Sequence, residues 1–339
     1  MKLSKFPYVV QKEILDHFSM NSILFLSLCS RNTKNFVKLT QKCQFEKIED
    51  IIYNISGTDI FMHVAVTTSC STIDLMSFFD KATAFQSNME KDSAEEVRVD
   101  ELGPSISFFR CPTDLSSLDA KYNSGNLELI METIDNHLRD LLGHCFKNRL
   151  YTYSKNVCCL PMLNNLSTMR VGEHIEPARI GELLSASPDL VDFHWTRFGR
   201  KDIGSREKSR LDVMKHFNGR HAFLNGHITT DDAIEIMNAW KSGETLVNLK
   251  FLSMTNVFRD LEIGFNLARA IKKVNTEVHY PVIEKFRNDW CVSYLTDLKS
   301  RFYIVRKSDD RVASVMVKTH TITMAVWDMT EKEFLEKFQ

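Results

Sequence analysis

Phe6-Pro7, Ile14-Leu15 and the run Ile23-Leu24-Phe25-Leu26-Ser27-Leu28-Cys29-Ser30-Arg31 form the stretch on which the reading of this chain turns. Pro7 suits the first turn of a helix, where the N–H it lacks would have no partner. From there Val10, Ile14 and Phe18 recur at i, i+4 and i+8, with Gln11, Lys12 and Asp16 between them, so a short helix carries one apolar stripe. Asn21 or Ser22 can cap a second helix that is apolar on nearly every side, Ile23 to Cys29. A third short amphipathic piece after Thr33 carries Phe36, Val37 and Leu39. Three helices in some forty residues bury too little surface to stand alone. They need the rest of the chain, a partner, or both.

The stretch resembles an F-box, the adaptor-binding module of Skp–Cullin–F-box ubiquitin ligases. Phe6-Pro7 stands at the family's Leu-Pro, Ile14-Leu15 at its Ile-Leu pair and Phe18 at the leucine that follows. Ile23 and Leu26 take the next leucine positions, and Leu28-Cys29-Ser30-Arg31 matches the Val/Leu-Cys-small-basic run in wording similar to the nematode branch. Met20-Asn21 replaces the frequent Asp-Pro, and no Trp follows Arg31. The resemblance implies Phe6, Pro7, Val10, Ile14, Leu15, Leu24, Leu28 and Cys29 as residues of the adaptor face or of the small core behind it.

The chain has 339 residues, room for about two or three domains. Its 43% hydrophobic and 26% charged residues fit a globular protein with a real core. A formal net charge of −1 gives no global attraction to nucleic acid or anionic membrane, so neither is expected as a partner. Gln11-Lys12-Glu13 interrupts the first apolar run at once, which does not fit a signal peptide. No apolar run approaches the roughly 18 residues of a membrane helix. An intracellular protein, cytoplasmic or nuclear, is expected. The eight cysteines form no C-x-x-C pair and are read as small buried hydrophobes, so neither metal nor cofactor is expected. The sequons at Asn54 and Asn165 carry no weight without secretion.

Further along, Ile48 to Ile55 and Ile60 to Val66 suggest strands, and Lys91 to Glu101 an exposed acidic loop or solvated face. Leu127, Ile130, Met131, Ile134, Leu138, Leu141 and Leu142 share one face of a helix over 127–143, ended by Gly143. Strand-like pieces then begin at 167, 191, 221 and 250, which are 24, 30 and 29 residues apart. That is near the roughly 20–29-residue period of leucine-rich repeats. Helical pieces separate them, the clearest from Thr230 as cap to Lys241, with Asp231-Asp232 in its first turn, Trp240 inward and Gly243 at its end. Stacked strand-helix units are the physics of a solenoid. Phe302 to Arg306, Val312 to Lys318 and Thr321 to Trp327 alternate like three strands, with Lys307-Ser308-Asp309-Asp310 as the first turn.

Residues 205–258 carry a second resemblance. Ile228-Thr229-Thr230-Asp231-Asp232, then Trp240-Lys241-Ser242-Gly243, then Leu249 to Met254 look like the type 2 F-box-associated domain of nematode F-box proteins, with Ala239 in place of its usual polar or basic residue. The fold expected is α/β. A three-helix F-box over 1–42 precedes a leucine-rich-repeat-like strand-helix solenoid over 43–339, with the clearest repeats at 164–258 and a C-terminal β meander at 302–327.

No Gly-rich phosphate loop, G-x-S-x-G elbow, H-E-x-x-H helix or kinase signature occurs. His144 and Cys145 are adjacent and point apart on a helix. An enzyme whose Cys and His meet only in space leaves no local trace and stands as the remote alternative. The resemblances imply a non-catalytic substrate receptor whose partners are a Skp-type adaptor, through it a cullin, and a target protein. A repeat-based interaction module with no part in ubiquitination is the nearer alternative. In 197–210, Arg197, Arg200, Lys201, Arg206, Lys208 and Arg210 face only Asp202 and Glu207. The plain reading is a solvated inter-repeat loop. The sharper one makes Arg197, Arg200 and Arg206 a rim for an acidic or phosphorylated target.

Overall fold

The computed structural model describes residues 5–56, 61–80, 97–98, 107–110, 118–122, 127–143, 146–152, 160, 162–172, 175–196, 210–257, 271–280, 298–318 and 320–339. The chain divides into two compact units, Met1–Ser167 and Thr168–Gln339.

The first unit opens with four helices: α1 (Tyr8–Asp16), α2 (Met20–Cys29), α3 (Arg31–Thr40) and the single turn α4 (Lys42–Phe45). Pro7 precedes α1, and its carbonyl accepts the Gln11 N–H at 3.0 Å. The cap of α2 is Ser19, whose hydroxyl accepts from Ser22 N at 3.3 Å, and not Asn21 or Ser22. Ser30 caps α3 in the same way through Thr33 N at 3.1 Å, so that helix starts at Arg31, ahead of the expected Thr33. A short serine just before each run supplies the acceptor that an orphan helical N–H needs.

Six strands follow: β1 (Ile48–Ser56), β2 (Phe61–Thr68), β3 (Thr72–Asp80), β4 (Val97–Arg98), β5 (Ser107–Arg110) and β6 (Leu118–Tyr122). Then come α5 (Leu127–Leu142) and β7 (Lys147–Thr152). Their order across the sheet is β7-β1-β2-β3-β6-β5-β4. The pairs β1–β7 and β3–β6 are parallel, and the others antiparallel. Part of the expected acidic loop is thus strand, at Val97–Arg98, and the rest of it lies outside the described residues. Asp135 of α5 is buried but fully engaged. It accepts from Tyr53 of β1 at 3.0 Å, from Asn148 of β7 at 2.9 Å and from its own helix's Arg139 at 2.7 Å.

β8 (Leu166–Gly172) straddles the division between the units. The second unit continues with α6 (Pro177–Ala186), β9 (Asp192–Thr196), α7 (Arg210–Met214), β10 (His221–Ile228), α8 (Thr230–Ser242) and β11 (Phe251–Val257). β12 (Lys272–Tyr280), β13 (Leu298–Val305), β14 (Arg311–Lys318), β15 (Thr321–Thr330) and α9 (Glu331–Phe338) complete it. The strands expected at 167, 191, 221 and 250 are β8 to β11, parallel neighbours in sequence order with one helix in each connection. Met169, Phe193, Ala222 and Leu252 are aligned in one row and Val171, Trp195, Leu224 and Met254 in the next but one, so period 2 puts both on one face. All eight are buried. Phe193 meets Phe217 just after α7, with ring centroids 5.8 Å apart.

The repeat stops at β11. Its other neighbour is β15, which runs antiparallel, and β15-β14-β13-β12 form a meander. The described architecture is therefore a mixed α/β fold with N-terminal helices and extensive sheet, and the parallel run does not continue past β11. Thr229, one residue before the expected cap, forms a capping box with Asp232 at the start of α8. At its end Gly243 has φ 80°, and a Cβ there would come within 2.3 Å of Ser308 Oγ, so glycine meets both a backbone and a space requirement. The β13–β14 loop closes with Asp310 at φ 56°, the left-handed conformation that a glycine would take more easily.

Candidate docking surface on the N-terminal helices

α1 cannot hide its apolar residues on one side. At about 100° per residue, the consecutive Tyr8, Val9 and Val10 span more than half the helix circumference. Leu15 is fully buried, as are Ile23, Leu24 and Leu28 of α2, Val37 of α3 and Phe45 of α4, and α3 packs on α1, α2 and α4. That set is the small core of the helical stretch. What it leaves outside is Tyr8 at 55% exposure, Val9 at 75%, Val10 and Phe18 at 40% each, and Leu39 at 72%. Half of the ten exposed large apolar side chains among the described residues thus fall within residues 8–39. Single exposed apolar groups need no explanation, but a concentration of them marks an interaction surface.

The eight residues singled out from the sequence divide by burial. Leu15, Leu24 and Leu28 are core, Phe6 and Ile14 are half-buried, and Pro7, Val10 and Cys29 are exposed. Sequence reasoning passed over Tyr8 and Val9. The signal available for them was the unbroken apolar triplet that a one-sided helix cannot bury. Arg197, Arg200 and Arg206 lie outside the described residues, as do His144 and Cys145.

Polar groups brace the helices. Lys12 reaches Asp16 one turn away at 2.6 Å, and Gln41 donates to the same carboxylate at 3.0 Å. Those two hydrogen bonds hold the Asp16 carboxyl below its usual range. The Cys29 thiol donates to Phe25 O at 3.3 Å. Although the residue is exposed, as are Cys43 and Cys70 against the reading of the cysteines as buried, partial desolvation of the thiol pushes its pKa up, away from the thiolate that a nucleophile needs. Among the described residues no three His, Cys, Asp or Glu side chains are placed to hold a metal ion, and no helix is long and apolar enough to cross a membrane.

No curated protein and no solved structure matches the chain. Residues 3–44 match the F-box domain, a family that generally binds Skp-type adaptors of ubiquitin ligases, and the match encloses the exposed apolar row and all of the small core but Phe45.

Proposed function

We propose that the chain is the substrate receptor of a Skp–Cullin–F-box ubiquitin ligase. The observation that carries the reading is the exposed row Tyr8, Val9, Val10 and Phe18 inside the stretch matched as an F-box. An adaptor that covers this row removes apolar surface from water, a helix-in-groove mode of association. The chain itself performs no bond chemistry. Residues 43–339 act as the F-box-associated, leucine-rich-repeat-like part, related to the nematode type 2 domain, and hold a target protein. The adaptor ties that complex to a cullin, so the ligase's ubiquitin-conjugating partner meets a target lysine at high effective concentration. The complex works in the cytoplasm or nucleus.

The test separates surface from core. Changing Val9 and Val10 together to Asp places carboxylates at solvated positions, where surface changes shift stability by about 0.5 kcal/mol or less each. The same charges desolvate badly under an apolar partner. The double variant should keep the wild-type melting curve and lose the purified Skp-type adaptor. Adaptor capture equal to wild type would overturn the proposal. Leu15→Asp, by contrast, buries a carboxylate in the core and should unfold the helices, so it cannot serve as the interface test.

A further inference from the structure

Three helices of nine, ten and ten residues around six buried side chains are a weak platform for a docking surface. In this chain they rest on two other elements of the first unit. α2 packs on β3, and α3 packs on α5. Ser27 of α2 is wholly buried, and its hydroxyl lies 2.6 Å from Leu24 O and 2.9 Å from His137 Nε2 of α5. The serine has one proton, and the shorter contact to the carbonyl takes it. His137 Nε2–H therefore donates to Ser27 Oγ, and the buried hydroxyl is satisfied from across the sequence. One turn further along α5, both oxygens of Asp140 are gripped from α3: Lys34 at 2.8 Å and Lys38 at 3.2 Å. His137 and Asp140 are three residues apart and so share a helix face. Lys38 also lies over Gly143, the left-handed residue that ends α5.

We infer that α5, which begins at Leu127, well beyond the F-box match that ends at residue 44, is part of the adaptor-docking apparatus, with His137 and Asp140 as positioning residues. They fix α2 and α3 from behind, and α1 is carried on α3 and tied down by the Gln41–Asp16 bond. Neither residue touches the adaptor. The inference rests on the adaptor reading above, and it adds that the F-box is held in one orientation on the first unit.

The test uses the full-length chain with Asp140→Asn, His137→Leu and His137→Gln, the last of which can still donate to Ser27. Adaptor affinity and amide exchange across residues 20–40 are the readouts. Asp140→Asn and His137→Leu should each weaken the adaptor about tenfold and speed exchange in 20–40, while exchange in β1 and β2 stays as in wild type. His137→Gln should recover most of both. Exchange and affinity within about twofold of wild type in the first two variants would overturn the inference. So would exchange that rises equally through β1 and β2, the mark of general unfolding. A wild-type chain that fails to bind the adaptor defeats the adaptor reading instead, and the exchange measurement then still decides whether α5 holds α2 and α3.

Discussion

His137 stays neutral in the folded chain. Burial brings its pKa down to about 4, and the nearby Lys34 charge pushes the same way. The unfolded chain takes up a proton at this residue near pH ~6.5. Between those values the unfolded state binds more protons, so folding stability falls as pH drops from about 6.5 to 4 and loses no more from this residue below that. The full span of the shift corresponds to roughly 3 kcal/mol. His137→Gln should remove that slope. Denaturation of wild type and variant at pH 7 and pH 4.5 should show the variant losing about 2 kcal/mol less on acidification, and an equal loss in both would refute the assignment. His194, brought down to about 3 by burial and Arg170, adds acid sensitivity of the same sign in residues 168–339 and is common to both proteins. At this scale the sequence was only half legible. The identities of Leu15, Leu24 and Leu28 mark them as apolar, but α2 and α3 pack on β3 and α5, elements distant in the chain that the N-terminal stretch does not reveal.

At the scale of elements, α8 was read almost to the residue because every level agrees: a hydroxyl cap, acids in the first turn, apolar residues at helical spacing and a terminal glycine. Its boundary slipped by one residue because Thr229 and Thr230 both offer a hydroxyl. β12 was not foreseen. Its buried residues, Val274 and Val278, are four apart across a register irregularity, so the strand shows helical spacing where alternation is the cue. β3 hides in the same way, with Leu75, Met76 and Phe78 all buried beside a register shift. Trp240 anchors the last turn of α8 in the core. It has no exposed surface, Arg306 lies over its ring at 5.3 Å, and Arg306 in turn bonds Asp309 and the Val247 carbonyl. Trp240→Ala should cost about 3–5 kcal/mol in the unit formed by residues 168–339. Trp240→Phe should cost much less, since the indole N–H is buried without a hydrogen-bond partner among the described residues and its loss is no penalty. Denaturant midpoints of the two variants check the order, and an Ala variant as stable as wild type would mean that the ring is not core.

For the whole molecule, a net charge of −1 hides an uneven distribution, with six bases against two acids in residues 197–210. Repeat spacing was legible from sequence because β8 to β11 recur with one helix between each pair. The antiparallel close against β15 was not, since strand order across a sheet depends on pairings between strands some seventy residues apart, and hydrophobic period carries no information about them. The basic segment poses the same difficulty for function: six charges at these spacings fit a solvated loop and an anion-binding rim equally well in the linear chain. Replacing Arg197, Arg200 and Arg206 together with Gln discriminates the two. Under the loop reading, the variant should match wild type in melting, within about 0.5 kcal/mol per site, and in its capture of acidic phosphoserine peptides at low salt. Under the rim reading, capture should fall and its dependence on salt should flatten, because screened charge attraction is what the substitutions remove. Charge runs of this kind more often solvate a surface than read a ligand, so equal peptide capture by both proteins is the expected result, and a clear loss in the triple variant would install the rim.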